Sequence, residues 1–160
     1  VFDEVSARHA NVGLVLQAYL RRAWSDMHRY EGRRMNYRVC KGIYREPYDV
    51  AFPHPEAVRR NFTALLEEIL RAGHYVGIAT HDELVAWEAE RLIRAYRCTD
   101  RQVEFQMLLG VGERLRASLR AAGHPVRVYV PYGPDWRAYS LRRLRANPAI
   151  VGHVMKQLWR

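Results

Sequence analysis

Five times along this chain a short apolar run gives way to a longer polar or amphipathic segment, with a period of about 30 residues. The runs are VGLVLQAYL (12–20), NYRVCKGIY (36–44), HYVGIAT (74–80), QVEFQMLL (102–109) and VRVYVPYG (126–133). Each is rich in β-branched and aromatic residues and is bounded by Gly, Asp or Asn, the signature of a buried strand. The segments between them carry helical spacing. In EAVRRNFTALLEEILRAG (56–73), Phe62, Leu65, Leu66, Ile69 and Leu70 make one apolar stripe. Pro53 and Pro55 lie before that helix and Gly73 just past it; Asp82 or Thr80 can cap the next helix, and Gly123 ends the fourth. The order βα, repeated five times, predicts parallel strands joined by right-handed helical crossovers.

Two α/β architectures satisfy that order: an open doubly wound sheet, or part of a (βα)8 TIM barrel. No GxGxxG follows a strand, so the dinucleotide-binding form of the open sheet lacks its fingerprint. A complete barrel needs roughly 250 residues. The 160 residues here would form a partial barrel covering about the last five βα units, with VFDEVSARHA as the end of an earlier helix. Residues 1–160 read as a single domain, with neither linker nor low-complexity segment.

Composition narrows the function. With 49% hydrophobic residues the chain can bury a core, and no apolar run approaches the ~20 residues that cross a bilayer. Cys40 and Cys98 have neither zinc spacing nor the pattern of a disulfide framework, so a reducing, soluble setting is expected. The formal charge of +9 admits nucleic acid, an anionic membrane surface or small anionic ligands as partners. Lys41 and Lys156 are the two lysines among 26 basic residues, which makes Lys41 conspicuous beside a strand.

In either architecture the ligand site lies at the C-terminal ends of the strands. Those ends carry Gln17, Tyr19 and Arg21; Arg38, Lys41 and Tyr44; Thr80, His81 and Asp82; Glu104 and Gln106; and Tyr129 and Tyr132. Each has an ordinary structural explanation: Arg38 in an ion pair with Glu104, His81 as the neighbour of a helix cap, Tyr129 in core packing. Five strands ending in polar groups is the stronger signal, because a charge inside a barrel is costly unless it is paired or faces a ligand. No local Ser/His/Asp or Cys/His arrangement appears, and no HxxxH, HxH or carboxylate cluster suggests a metal. Cys40 reads as a structural thiol. What remains is a set of donors, suited to an anionic or electron-accepting ligand such as a flavin.

RVCKGIYREP resembles the R-x-x-K-G-A-Y segment of proline dehydrogenases. LVLQAYL, GIATHD, EFQMLLGV, VRVYVPYG and AYSLRRL are similar to that family's strand-end and final-helix motifs, in the same order. The resemblance covers essentially the whole chain. It implies an FAD flavoprotein that oxidises L-proline to Δ1-pyrroline-5-carboxylate, the first step of proline catabolism. Hydride would pass to flavin N5 and electrons to a quinone. It implies Arg38 beside flavin N5, and Gln17, Lys41, Gly42, Ile43, Thr80 and His81 as further cofactor contacts. Tyr129 and Tyr139 would line the proline pocket, and Arg142 and Arg143 would bind the substrate carboxylate. Two guanidinium forks on one carboxylate are a geometry that lysine does not reproduce.

The chain departs from the family where an acid is expected three positions after the second arginine; Ala146 stands there. The family's early-strand lysine and aspartate have no counterpart in it. The resemblance therefore implies the C-terminal portion of the catalytic barrel, with weak FAD binding and poor turnover for these 160 residues alone. A bacterial-type cytoplasmic enzyme, in peripheral contact with the membrane through its quinone, is the expected setting.

Three rivals stay open: a basic nucleic-acid- or anionic-surface-binding module, a (βα)8 enzyme for a phosphorylated ligand, and an inactive barrel relative. Against the first, the arginines are scattered over every helix and no nucleic-acid-binding motif appears, so no nucleic-acid partner is expected. The weak phosphate-loop candidate GVG (110–112) reads better as a break between strand and helix.

Overall fold

The structure is a computed structural model and describes residues 1–44 and 46–134. All five expected strands form: β1 (Leu14–Gln17), β2 (Asn36–Cys40), β3 (Tyr75–Ala79), β4 (Val103–Leu108) and β5 (Val126–Tyr129). The helices are α1 (Phe2–Ser6), α2 (Ala23–His28), α3 (Pro55–Arg71), α4 (Glu83–Ala95) and α5 (Glu113–Ala121). The strands are shorter than the apolar runs, and past β1 and β2 backbone hydrogen bonds continue into the loops. Ala18 N–H donates to Cys40 O at 2.7 Å, and Tyr19 N–H to Lys41 O at 2.9 Å.

Strand order decides between the two architectures. The sheet runs β1-β2-β3-β4-β5, with every neighbouring pair parallel. A doubly wound sheet reverses direction at a switch point; this sheet never does. It is a partial barrel of the (βα)8 type, and among the described residues β1 and β5 are its edges.

Alternation along the strands separates two faces. Leu16, Tyr37, Val39, Val76, Ile78, Val103, Phe105 and Met107 are buried against the helices. Phe62, Leu65, Leu66 and Ile69 of α3 and Val85, Ala89 and Leu92 of α4 complete that core. Full burial of each large side chain is worth about 1.5–3 kcal/mol. Asn61 of α3 ties the layers together. It accepts from Trp24 Nε1 at 2.7 Å and donates to Ala18 O at 2.7 Å, fixing the end of β1 to α2 and α3.

The helix boundaries follow their caps. α3 begins one residue earlier than its apolar stripe suggests: Pro55 takes the first helical position, where its missing N–H costs nothing. His54 caps it through Nδ1, accepting from Glu56 N–H at 3.3 Å. Asp82, of the two residues expected to serve, caps α4. Gly73 and Gly123 follow α3 and α5 with φ of 72° and 89°, ending both as anticipated.

Candidate active site

The opposite sheet face carries the polar strand residues. Parallel register sets Val15, Arg38, Gly77 and Glu104 on one level. The next level toward the strand ends holds Gln17, Cys40, Ala79, Gln106 and Arg127. Arg38 does not pair with Glu104, the simplest partner by sequence. Its Nε donates instead to Gln106 Oε1 at 2.7 Å. Gln106 Nε2 donates to Glu104 Oε1 at 2.7 Å, and Arg127 grips both oxygens of Glu104 at 2.6 and 2.9 Å. The physical reason is geometric: Arg127 lies on the adjacent strand with its fork matched to the carboxylate. Burial alone would raise the pKa of Glu104; the bonds from Arg127, Gln106 and Tyr75 outweigh it and hold the carboxyl below its usual range. Among the described residues, no carboxylate forms an ion pair with Arg38, so its charge faces outward without compensation.

A second cluster forms where β2 and β3 end. Lys41 Nζ and Arg59 Nε both donate to Asp82 Oδ2, the latter at 2.7 Å. Asp82 Oδ1 meanwhile accepts from Leu84 N–H at 3.0 Å and from Val85 N–H at 3.5 Å, capping α4. Burial works against ionisation of Asp82, yet the Lys41 and Arg59 hydrogen bonds win and hold its pKa at about 2. Buried Thr80 accepts from Asp82 N–H at 3.1 Å. Arg59 also pairs with Glu56 at 3.5 Å, so Lys41 and Arg59 meet two carboxylates at this corner. Arg59 was not anticipated; in the sequence it is one of several arginine pairs, and only the fold turns it toward a strand end.

His81 is more than the neighbour of a cap. Its Nε2 accepts from Leu108 N–H at 2.9 Å, joining the ends of β3 and β4. An acceptor Nε2 places any single ring proton on Nδ1. Gly42 has φ +92°, and a side chain there would run into the ring of buried Tyr19. The β2 exit loop therefore passes close over Tyr19, and Gly42 offers its bare backbone at the strand ends. Gln17 and Ile43 are half-buried beside it. Tyr129, half-exposed, pairs with Leu108 at the end of β5. The structure thus gathers Gln17, Lys41, Gly42, Ile43, Thr80, His81 and Tyr129 at one end of one sheet, with Arg38 mid-strand on β2. Tyr139, Arg142, Arg143 and Ala146 lie outside the described residues.

The donor set fits a flavin. An arginine held by a neutral amide, a lysine and an arginine gathered on Asp82, and a side-chain-free backbone suit a ring that takes up negative charge and a phosphate-bearing tail. Among the described residues no group of three or more His, Cys, Asp or Glu could hold a metal ion. None of the described helices is long and apolar enough to cross a membrane.

Sequential parallel strands with a donor-rich candidate site toward their C-terminal ends define a (βα)8-type fold, with that candidate site where such folds place theirs. The comparisons place it more narrowly. A family model described as proline dehydrogenase matches residues 1–156, and the chain belongs to that family. It is 40% identical over 153 residues to a proline dehydrogenase of Deinococcus radiodurans, covering 96% of this chain and 49% of that one. To proline dehydrogenase 1 of Bacillus subtilis (strain 168) it is 35% identical over 156 residues, covering 98% of this chain and 52% of the other. Among solved structures, proline utilization A from Corynebacterium freiburgense superposes with a TM-score of 0.72 at 25% identity, covering 99% of this chain and 20% of that one. Proline utilization A from Bdellovibrio bacteriovorus, inactivated by N-propargylglycine, gives 0.73 at 23% identity over 82% of this chain and 16% of its own, a likeness of fold. The chain spans about half the length of the curated relatives it matches.

Proposed function

We propose that this chain supplies the last five βα units of an FAD-dependent proline dehydrogenase barrel, with residues 1–160 as one domain of that barrel. The native polypeptide would oxidise L-proline to Δ1-pyrroline-5-carboxylate and pass electrons to a quinone. The observation that carries this reading is the guanidinium of Arg38, held by the neutral amide of Gln106 and, among the described residues, by no carboxylate, in a chain of this family.

FAD, when bound, supplies the acceptor for the hydride leaving proline C5. The chain's own residues position and polarise. Arg38 presents positive charge that favours the electron-rich state of its ligand. Gln17, Gly42 and Ile43 contact the cofactor beside it, the last two largely through backbone. Lys41, Thr80 and His81 serve the phosphate and ribose portion, where Asp82 holds Lys41 and Arg59 together. Tyr129 and Tyr139 line the substrate pocket, and Arg142 and Arg143 take the proline carboxylate. Reaction with a membrane quinone calls for peripheral contact with the bilayer at the cytoplasmic face.

The test is the absorbance of the purified native polypeptide. A flavin spectrum bleached by L-proline under anaerobic conditions is expected, with Arg38→Met slowing the bleaching at least about a hundredfold, the range known for a lost charge-stabilising donor. Salt-sensitive retention on nucleic acid by a colourless protein would refute the reading and restore the basic binding module.

A further inference from the structure

Arg38 on β2 and Gln106 on β4 are two strands apart, with β3 between them. Neighbouring strands lie about 4.8 Å apart, so their Cα atoms are separated by roughly 10 Å. The bond between them forms because Gln106 extends over β3 at Gly77. A Cβ at position 77 would lie 2.9 Å from Gln106 Cδ and nearer still to its Nε2. Glycine there serves the amide by leaving it space rather than by its backbone freedom, since Gly77 is not among the glycines of positive φ.

The neighbours also fix which way the amide points. A guanidinium has no acceptor, so the Gln106 oxygen must face Arg38. An ionised carboxylate has no donor, so the Gln106 nitrogen must face Glu104. Both demands agree. Glu104 in turn has both oxygens on Arg127, which leaves its charge spent locally. Gln106 is neutral, and it engages Nε of Arg38. Among the described residues, the two terminal nitrogens of that guanidinium make no hydrogen bond.

We propose that Gln106 is the positioning residue for Arg38: an amide locked by Glu104 and seated over Gly77 aims the guanidinium while leaving its full charge for the ligand. The role rests on the flavin reading above. A carboxylate at 106 would aim Arg38 equally well but neutralise it; a shorter or apolar side chain would leave it unaimed.

The test uses the native polypeptide with its bound flavin, equilibrated against a reference dye at one fixed potential. The quantity read is the ratio of reduced to oxidised flavin. Gln106→Met removes the acceptor at similar length. Gly77→Ala leaves Gln106 in the sequence but pushes its amide off β3, and it meets only the movable end of a side chain, so the fold is retained. Each should lower the ratio about tenfold, the size expected for losing one charge-assisted hydrogen bond. In an Arg38→Met background the same changes should move it less than about twofold. Equal drops in both backgrounds, or no drop for folded Gly77→Ala, overturn the positioning role and leave the flavin reading standing. A native polypeptide without flavin overturns both.

Discussion

Asp82→Asn separates two tasks that one side chain performs. The amide oxygen of Asn still caps α4 at Leu84 and Val85, while the charge that holds Lys41 and Arg59 is gone. The ordinary pKa of 3.8 falls to about 2 in the fold, although burial alone would raise it. At about 1.4 kcal/mol per pH unit, the gap amounts to about 2 kcal/mol of stability at neutral pH. The sign follows from the depression: this stability is present above pH 3.8 and is lost as pH falls through about 2. Urea unfolding of the native polypeptide, wild type against variant, should show a difference of about 2 kcal/mol at pH 7. That difference should shrink to about half near pH 3. The same difference at pH 7 and pH 3 would refute the argument, because it would assign the loss to packing rather than to charge.

Three further outcomes are expected. Gly42→Ala forces a side chain into a left-handed backbone and against the Tyr19 ring, and should lower the stability of the native polypeptide by at least about 2 kcal/mol in a thermal or urea melt. His74, whose Nδ1 accepts from Met35 N–H at 3.3 Å, has its pKa lowered by burial and by Arg34, against the pull of Glu68. Stability should therefore decline as pH falls from 6.5 through that lowered value, and His74→Asn, which keeps an acceptor but does not titrate, should flatten the melting-temperature profile over that window. Arg142→Met or Arg143→Met should raise the KM for proline far more than it alters flavin content; equal loss of both would make the pair structural.

The architecture was legible because apolar runs and helical stripes alternate without interruption from residue 12 to 133. Strand order was not, since either sheet topology satisfies the same alternation; parallel pairing in sequence order settled it. At the site, Lys41 stood out as a lysine in an arginine-rich chain, and it does reach a specific partner in Asp82. The Arg38–Gln106 bond was hidden because it joins strands that are not neighbours and depends on an empty place in the strand between them. Gly77 looked like one more small residue in HYVGIAT. Arg127 could have been found: alternation in VRVYV sets it on the same face as Tyr129, opposite Glu104 and Gln106. His81 was visible as a residue but not as an acceptor, since its donor, the Leu108 N–H, lies on another strand.

The empty place at Gly77 also bears on how such sequences can change. Positions 77 and 106 occupy one shared volume, and neither can drift alone. Among related proteins a side chain at 77 should travel with a shorter residue at 106, and glycine at 77 with a long one. A lineage that enlarged 77 first, or shortened 106 first, would lose the grip on Arg38 either way, so the pair can change only where another residue has already taken hold of that arginine.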